Sequence, residues 1–239
     1  MISSLIFSKI ELHIFKMTTE QDIFVALDIE TAGPLPITHP IVSLGYCVGL
    51  YDGKILEKGR FNMSVKWPTN VEGKIIDYGE FDQPCWDRFW AKLPEKLIKR
   101  LQKNTQIENK ENPTYREGLV AFQKWFDGLE ERYPEKTCKI RILSDNHGFD
   151  IGKIDAVLEK ETKRLPIYYS TTGKYRSYSN PDDMLEMLPD EVRREYETDI
   201  RAVVTNDHDP ANDAEFIYRQ YLAAQDAKKL IEIIRDQVS

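Results

Sequence analysis

A short apolar segment that ends in two carboxylates constrains the fold of this chain more than any other feature of its sequence. Residues 23–27 (IFVAL) are apolar throughout, and Asp28, Ile29 and Glu30 follow at once. A continuous apolar run of this length is typical of a buried β-strand. Side chains at alternate positions of a strand point to the same face, so Asp28 and Glu30 are predicted to share one location at the strand's end.

Two interpretations of this carboxylate pair stay open at this point. Buried like charges repel each other, and their burial is unfavourable unless a cation lies between them, so Asp28 and Glu30 predict a divalent-cation site. Alternatively, the strand ends before Asp28 and both carboxylates face solvent.

The rest of the pattern predicts one α/β domain with a central mixed sheet, an antiparallel three-strand meander plus parallel strands, flanked by helices. After the first strand, Ile41 to Tyr51 and Lys54 to Val65 are predicted as strands joined by a tight turn at Asp52-Gly53. The other predicted elements are helices at 80–103 (divided at Pro94), 115–133, 150–163, 191–204 and 210–235, strands at 139–144 and 166–170, and polar loops at 105–113 and 171–180. We predict a single domain over residues 20–239, preceded by an extension over residues 1–19 whose order the sequence does not decide.

A second polar motif follows the predicted strand at 139–144. The segment at 146–150 (NHGFD) leads into a helix and places Asp150 near the helix N-terminus. Open α/β sheets build their functional sites at the carboxyl ends of strands, which makes Asp150 a candidate site residue. The simpler role for Asp150 is that of a helix N-cap.

A third motif opens the last predicted helix. In the segment HDPANDA, Pro210 suits the first helical position and Asp209 suits the N-cap. His208 would then lie just before the helix and Asp213 near its first turn, so that both could face one cavity. The alternative is a capping Asp209, a solvated Asp213 and an exposed His208.

Composition and charge narrow the classes of function. The chain of 239 residues has 33 Lys and Arg against 40 Asp and Glu, a net charge of −7. This balance argues against a basic nucleic-acid coating protein but not against catalysis on nucleic acid with the help of divalent cations. Three cysteines without a C-x-x-C pair indicate reduced thiols and a cytoplasmic or nuclear location. We find neither a signal peptide nor a segment suited to span a membrane.

Taken together and in order, the D-x-E, N-x-x-F-D and H-x-x-x-x-D motifs resemble the DEDDh-type 3′→5′ exonuclease superfamily, which has a ribonuclease H-like fold. The matching segments are FVALDIETAG, SDNHGFDIG and HDPANDAEF, within a resemblance that spans Ile23 to Leu222. The segment TDIRAV at 198–203 resembles the D-x-R-T stretch of a phage and bacterial 3′→5′ exoribonuclease-like subfamily, with Ala202 in place of Thr. Pro210 stands where many members of the superfamily carry Ala.

The resemblance implies a mechanism and assigns residues to it. Asp28, Glu30, Asp150 and Asp213 would bind two divalent cations, Mg²⁺ or Mn²⁺, and His208 would act as general base. The substrate would be the 3′ end of RNA or DNA, and the product a nucleoside 5′-monophosphate. Thr31 and Asn146, which lie beside these residues, are candidates for contacts with the terminal nucleotide.

Several alternatives stay open. Thr31 and Asn146 could instead be turn residues that make local hydrogen bonds. The loop at 171–180, with its cations and aromatic residues, suits either a single-stranded nucleic-acid path or an ordinary solvated surface. The aromatic residues of 81–90 could pack in the core or against a second copy in a homodimer. Two functions compete with this one. The first is a proofreading or structure-specific nuclease on the same fold, and the second is a catalytically silent ribonuclease H-like module that binds nucleic acid or protein.

Overall fold

The computed structural model describes residues 22–72, 74–134, 139–164, 166–167, 175–177, 180–186, 188–205 and 208–238. The predicted extension at 1–19 lies outside the described residues. The strands of the described residues are β1 (Ile23–Thr31), β2 (Ile41–Leu50), β3 (Ile55–Asn62), β4 (Thr69–Val71), β5 (Lys74–Asp77), β6 (Ile140–Leu143) and β7 (Tyr175–Ser177). The main sheet has five of them in the order β3-β2-β1-β6-β7, and β4 and β5 form a separate antiparallel pair.

The directions of the strands confirm the predicted mixed sheet. β1 pairs antiparallel with β2, and β2 pairs antiparallel with β3, which forms the predicted meander. β1 pairs parallel with β6, and β6 pairs parallel with β7. The strand that carries the D-x-E motif therefore lies at the centre of the sheet.

Helices account for most of the remaining described residues. They are α1 (Gln83–Arg88), a 3₁₀ helix (Trp90–Lys92), α2 (Glu95–Thr105), α3 (Tyr115–Asp127), α4 (Leu129–Arg132), α5 (His147–Thr162), α6 (Pro181–Glu186), α7 (Asp190–Val203) and α8 (Pro210–Val238). Pro94 precedes α2 and interrupts the predicted helix at 80–103, because a proline ring disfavours helical backbone in the residue before it. No helix in the described part of the chain has the length and apolar character needed to cross a bilayer.

β1 is buried on both faces, which explains its uninterrupted apolar sequence. Val25 and Leu27 pack in one cluster with residues of α3 and α5. Phe24 and Ala26 pack on the opposite face against α8, around Ile217. Full burial of a large apolar side chain contributes about 1.5–3 kcal/mol, so this central strand is a main source of stability and a rigid support for the carboxylates at its end.

Two predictions about the region after α5 are wrong in the described residues. Pro166 and Ile167 belong to no strand, and the rest of the strand predicted at 166–170 lies outside the described residues. The fifth strand is β7, inside the segment predicted as a loop at 171–180. β7 is a three-residue edge strand, and its place depends on backbone pairing with β6 rather than on an apolar pattern.

The aromatic segment at 81–90 packs in the core, as one of its two interpretations proposed. Phe81 and Trp90 are 5% and 0% exposed. The ring of Trp67 lies 4.8 Å from that of Phe81 and 5.4 Å from that of Trp90, measured between centroids. These contacts account for the aromatic residues without a second copy of the chain.

Candidate active site

The first two candidate ligands lie within β1 rather than beyond it. β1 continues to Thr31 and pairs with β2 through both positions, so the strand does not end before Asp28. Glu30 is 5% exposed. The Oδ2 atom of Asp28 is buried, and among the described residues it has no hydrogen-bond partner. A buried carboxylate oxygen without a donor is costly, which points to a cation as its missing partner.

Asp150 reaches the same region from the first turn of α5, where it is 4% exposed. Its Oδ2 atom accepts a hydrogen bond of 2.6 Å from the Ser144 hydroxyl. The alternative in which Asp150 caps the helix is wrong, because the N-cap is Asn146, whose side chain accepts from the Phe149 amide. Asp150 is thus not needed to start α5.

Thr31 and Asn146 both make the local hydrogen bonds expected of turn residues. The Thr31 hydroxyl donates to the Gly33 carbonyl at 3.0 Å, and Asn146 is engaged in the cap of α5. Their contact with a terminal nucleotide stays a prediction.

The third motif lies at the start of α8, where Asp209 contacts both the helix backbone and two arginines from other elements. As predicted, the Asp209 side chain accepts from a helix amide, that of Ala211. Its other oxygen binds Arg60 of β3 at 3.0 Å and Arg100 of α2 at 2.8 Å, and the side chain is only 5% exposed. These contacts fix the residue that follows His208 to the sheet and to a helix. The sequence did not indicate them, because both arginines lie far from Asp209 along the chain.

His208 and Asp213 both border the carboxylates of β1. Asp213 is 6% exposed, so the alternative of a solvated Asp213 is wrong. The His208 side chain is 43% exposed, and its Nδ1 atom lies 3.6 Å from Oε1 of Glu30. The ring of Phe89 meets the imidazole edge-to-face, with centroids 4.9 Å apart.

The structure brings all five predicted site residues together and adds a sixth. The side chains form two groups, and within each group the candidate ligand atoms lie within 4.8 Å of one another. The first group is Glu30, His208 and Asp213, and the second is Asp28, Asp145 and Asp150.

Asp145 is the residue that the sequence interpretation missed. It follows the strand β6 and Ser144, in the turn before α5. Aspartate is common in turns for local reasons, so nothing set Asp145 apart. The available signal was its place at the carboxyl end of a parallel strand beside β1, where a site was already expected.

Burial and mutual repulsion raise the pKa values of these carboxyl groups. The pKa of Asp28 is raised well above its ordinary value, first by burial and then by the neighbouring carboxylates, with Glu30 the strongest. Burial also raises the pKa of Glu30, although its contact with His208 works in the opposite direction. Burial raises the pKa of Asp150 to about 7, with Asp145 adding to the effect.

The residues of this cluster fit divalent cations. Carboxylate oxygens with one imidazole are suitable ligands for Mg²⁺ and Mn²⁺, which prefer oxygen donors. Burial and mutual repulsion favour the protonated forms of Asp28 and Asp150, and a bound cation would favour the ionised carboxylates instead. The buried Oδ2 atom of Asp28 supplies an oxygen that no described residue uses.

The fold matches that of exonucleases of known structure. The zinc-bound complex of Escherichia coli ExoI with single-stranded DNA has a TM-score of 0.54 at 14% identity, over 91% of this chain and 43% of that chain. E. coli exonuclease I with a 5cy-dT13 oligonucleotide has a TM-score of 0.51 at 13% identity, over 91% and 44%. The nuclease domain of 3′hExo, a DEDDh family member bound to rAMP, has a TM-score of 0.50 at 13% identity, over 88% and 94%.

At these identities the similarity shows the fold. The chain has the ribonuclease H-like α/β fold of these exonucleases, which confirms the predicted fold. It spans less than half the length of the exonuclease I chains. No protein-family model matches the sequence, and no curated protein sequence matches it.

Proposed function

We propose that this protein is a metal-dependent 3′→5′ exonuclease that hydrolyses the terminal phosphodiester of single-stranded RNA or DNA and releases nucleoside 5′-monophosphates. The observation that carries the proposal is the convergence of three separate sequence motifs into two contiguous groups of ligand atoms on a fold shared with exonucleases. Single-stranded substrates are proposed because one structural neighbour is a complex with single-stranded DNA. The mononucleotide rAMP in another fits the proposed product.

The carboxylates of the cluster would hold two Mg²⁺ or Mn²⁺ ions. The proposed ligands are Asp28, Glu30, Asp150 and Asp213, with Asp145 as an additional candidate. When bound, two such ions stabilise negative charge on the attacking and leaving oxygens of an in-line phosphoryl displacement.

His208 is the proposed proton acceptor. Imidazole is the side chain whose ordinary titration range includes neutral pH, and the exposed fraction of 43% allows His208 to return its proton to solvent. In the proposed reaction the water oxygen forms a bond to phosphorus while His208 takes the water proton. The bond from phosphorus to the 3′ oxygen of the shortened chain breaks, and this oxygen takes a proton from solvent to become the new 3′ hydroxyl.

The test is a time course on 5′-labelled single-stranded RNA and DNA of one sequence, each with Mg²⁺, with Mn²⁺ and with chelator. We expect a ladder that shortens from the 3′ end, stops in chelator, and is absent with the variant Asp28→Asn. Glu191→Gln is the matched control, because Glu191 is an exposed acidic residue of α7 outside the three motifs. Mononucleotide products identified by chromatography would separate exonuclease from endonuclease activity. Failure of folded protein to shorten either substrate would instead favour the silent binding module.

A further inference from the structure

Lys153 is a fully buried lysine on the helix that carries Asp150. It is 0% exposed and lies one turn after Asp150 on α5. The neighbouring buried positions of this helix face are apolar, including Ile154 and Val157. An ammonium group in such a place loses its hydration, which is costly unless the protein gains something specific from it.

The ammonium of Lys153 binds the chain segment that follows the D-x-E motif. Its Nζ atom donates to the Gly33 carbonyl at 2.7 Å and to the Leu35 carbonyl at 3.1 Å. It also lies 5.5 Å from the centroid of the Phe149 ring. Within the described residues no carboxylate forms an ion pair with it, and the Cys85 side chain is the neighbouring titratable group. Lys153 thus connects α5 to the segment at 33–35 through two charge-assisted hydrogen bonds.

Both carbonyls already have another donor, so Lys153 is not needed merely to satisfy them. The Thr31 hydroxyl donates to the Gly33 carbonyl at 3.0 Å. The His39 amide donates to the Leu35 carbonyl at 3.1 Å. A methionine or leucine could fill the same space at a lower desolvation cost. What Lys153 adds is a fixed link between the backbone after Glu30 and the helix of Asp150.

The segment held in this way borders the candidate active site. It begins at Gly33, two residues after Thr31, and it carries Leu35 and Ile37, which are 54% and 60% exposed. Exposed apolar side chains next to a phosphodiesterase site can contact a nucleobase, which is largely apolar on its faces. The position of this segment therefore bears on how a terminal nucleotide is bound.

We propose that Lys153 is a positioning residue that holds the segment at 33–37 in place for the terminal nucleotide of the substrate. The inference rests on the proposed exonuclease function for the identity of the ligand, but the link itself is independent of that function. It assigns Lys153 to nucleotide binding rather than to metal binding, because its hydrogen bonds go to the segment at 33–35 and not to a carboxylate of the cluster.

Burial lowers the pKa of Lys153 to about 8, so the positioning role should depend on pH around this value. Above that pH the neutral amine donates weaker hydrogen bonds, so the segment should loosen. Within the described residues, the titratable groups around this link are the Cys85 thiol, the carboxylate of Asp82, whose Cβ packs beside Gly33, and the imidazole of His39, whose Nδ1 accepts from the Leu35 amide. An arginine at position 153 would keep its charge throughout this range.

The first experiment measures amide hydrogen exchange in the metal-free protein for wild type and Lys153→Met. The amides of Leu35 and His39, both hydrogen-bonded within the segment, should exchange about tenfold faster in the variant, since a hydrogen bond to a charged group is lost. Lys160→Met is the matched control, because Lys160 lies exposed on the same helix. Thermal unfolding of Lys153→Met checks that the variant is folded. If the folded variant exchanges these amides at the wild-type rate, the inference is wrong, whether or not the protein cleaves nucleic acid.

The second experiment separates nucleotide binding from metal binding. We expect Lys153→Met to raise KM for a single-stranded oligonucleotide and to weaken binding of AMP, each about tenfold, while Mn²⁺ affinity stays within about twofold. Lys153→Arg should retain activity above pH 8, where the wild type declines. Normal KM and AMP affinity in Lys153→Met would refute the positioning role even if exchange were faster. If the wild type cleaves no substrate, the proposed exonuclease function is wrong. The hydrogen-exchange result still tests the link between Lys153 and the segment at 33–35, because it does not depend on cleavage.

Discussion

The Nδ1 atom of His208 lies 3.6 Å from the Oε1 atom of Glu30, across the junction between β1 and the start of α8. His208 adopts a φ of 59°, a left-handed conformation that is uncommon for a residue with a Cβ atom. The next residue, Asp209, is bound by Arg60 and Arg100. These ion pairs can hold the unfavourable backbone of His208 in place and aim its imidazole at the carboxylates.

Replacement of His208 by alanine should lower kcat by about 10²–10⁴-fold, the usual contribution of a positioned proton acceptor. Mn²⁺ affinity should change by less than about threefold, because the carboxylates supply the preferred oxygen ligands. Single-turnover cleavage and calorimetric titration with Mn²⁺ measure the two effects. A large loss of Mn²⁺ affinity would show instead that His208 is a metal ligand in its group with Glu30 and Asp213.

Asp145→Asn should weaken Mn²⁺ binding by about tenfold, within the range seen when a supporting group of a metal site is removed. The reason is that Asp145 lies in one group with Asp28 and Asp150 and adds negative charge there. The same substitution should lower the pKa of Asp150, since a repelling carboxylate is removed. Calorimetry and carboxyl NMR titration measure these changes. Glu191→Gln controls for the loss of one acidic charge, and equal Mn²⁺ affinity in both variants would exclude Asp145 from the site.

Stabilisation by a divalent cation should increase with pH. Burial raises the pKa of Asp150 to about 7 in the folded protein, whereas an unfolded chain has a value of about 3.9. The folded, metal-free protein therefore holds a proton that the unfolded chain releases, and it loses stability as pH rises from about 4 to 7. A cation replaces that proton, so Mn²⁺ should raise the Tm more at pH 8 than at pH 5.5.

Melting curves with Mn²⁺ and with chelator at the two pH values test this expectation. In Asp150→Asn the difference between the two pH values should shrink, because one of the carboxyl groups whose pKa is raised by burial is gone. An equal gain in Tm at both pH values would mean that cation binding does not displace a proton from Asp150.

The features that could be predicted from the sequence are those that depend on residues close together in the chain. The apolar run of β1 shows its burial on both faces, and each motif lies at a strand end or a helix start, where side chains of separate segments can meet. For that reason Asp28, Glu30, Asp150, His208 and Asp213 could be named together and are found together.

The features that could not be predicted depend on which distant residues come into contact. Asp145 resembles an ordinary turn residue until β6 is placed beside β1. In the sequence Lys153 resembles an ordinary solvated lysine of a helix. Only the structure shows that the segment at 33–35 covers it and accepts its hydrogen bonds. β7 has no apolar pattern of its own, because a short edge strand is specified by the backbone of its neighbour. Contacts between such distant residues are determined by tertiary packing, so they produce no periodic pattern in the sequence.

A close approach of helix to sheet leads to the last prediction. Gly45 of β2 pairs with Asp28 of β1. A Cβ atom at Gly45 would lie 1.9 Å from the carbonyl oxygen of Pro210, at the start of α8. The helix that carries Asp213 therefore rests on a position where only glycine fits without displacement of backbone.

Gly45→Ala should destabilise the protein by about 1–3 kcal/mol through overpacking. It should also weaken Mn²⁺ binding, because α8 would carry Asp213 away from Asp28 although no ligand is altered. Gly152→Ala is the control: its new Cβ would have no atom within 4 Å, and an alanine inside a helix should stabilise by about 0.5–1 kcal/mol. Thermal unfolding and Mn²⁺ calorimetry on both variants measure these effects. Wild-type Tm and Mn²⁺ affinity in Gly45→Ala would show that the close approach of α8 is not what brings the carboxylates together.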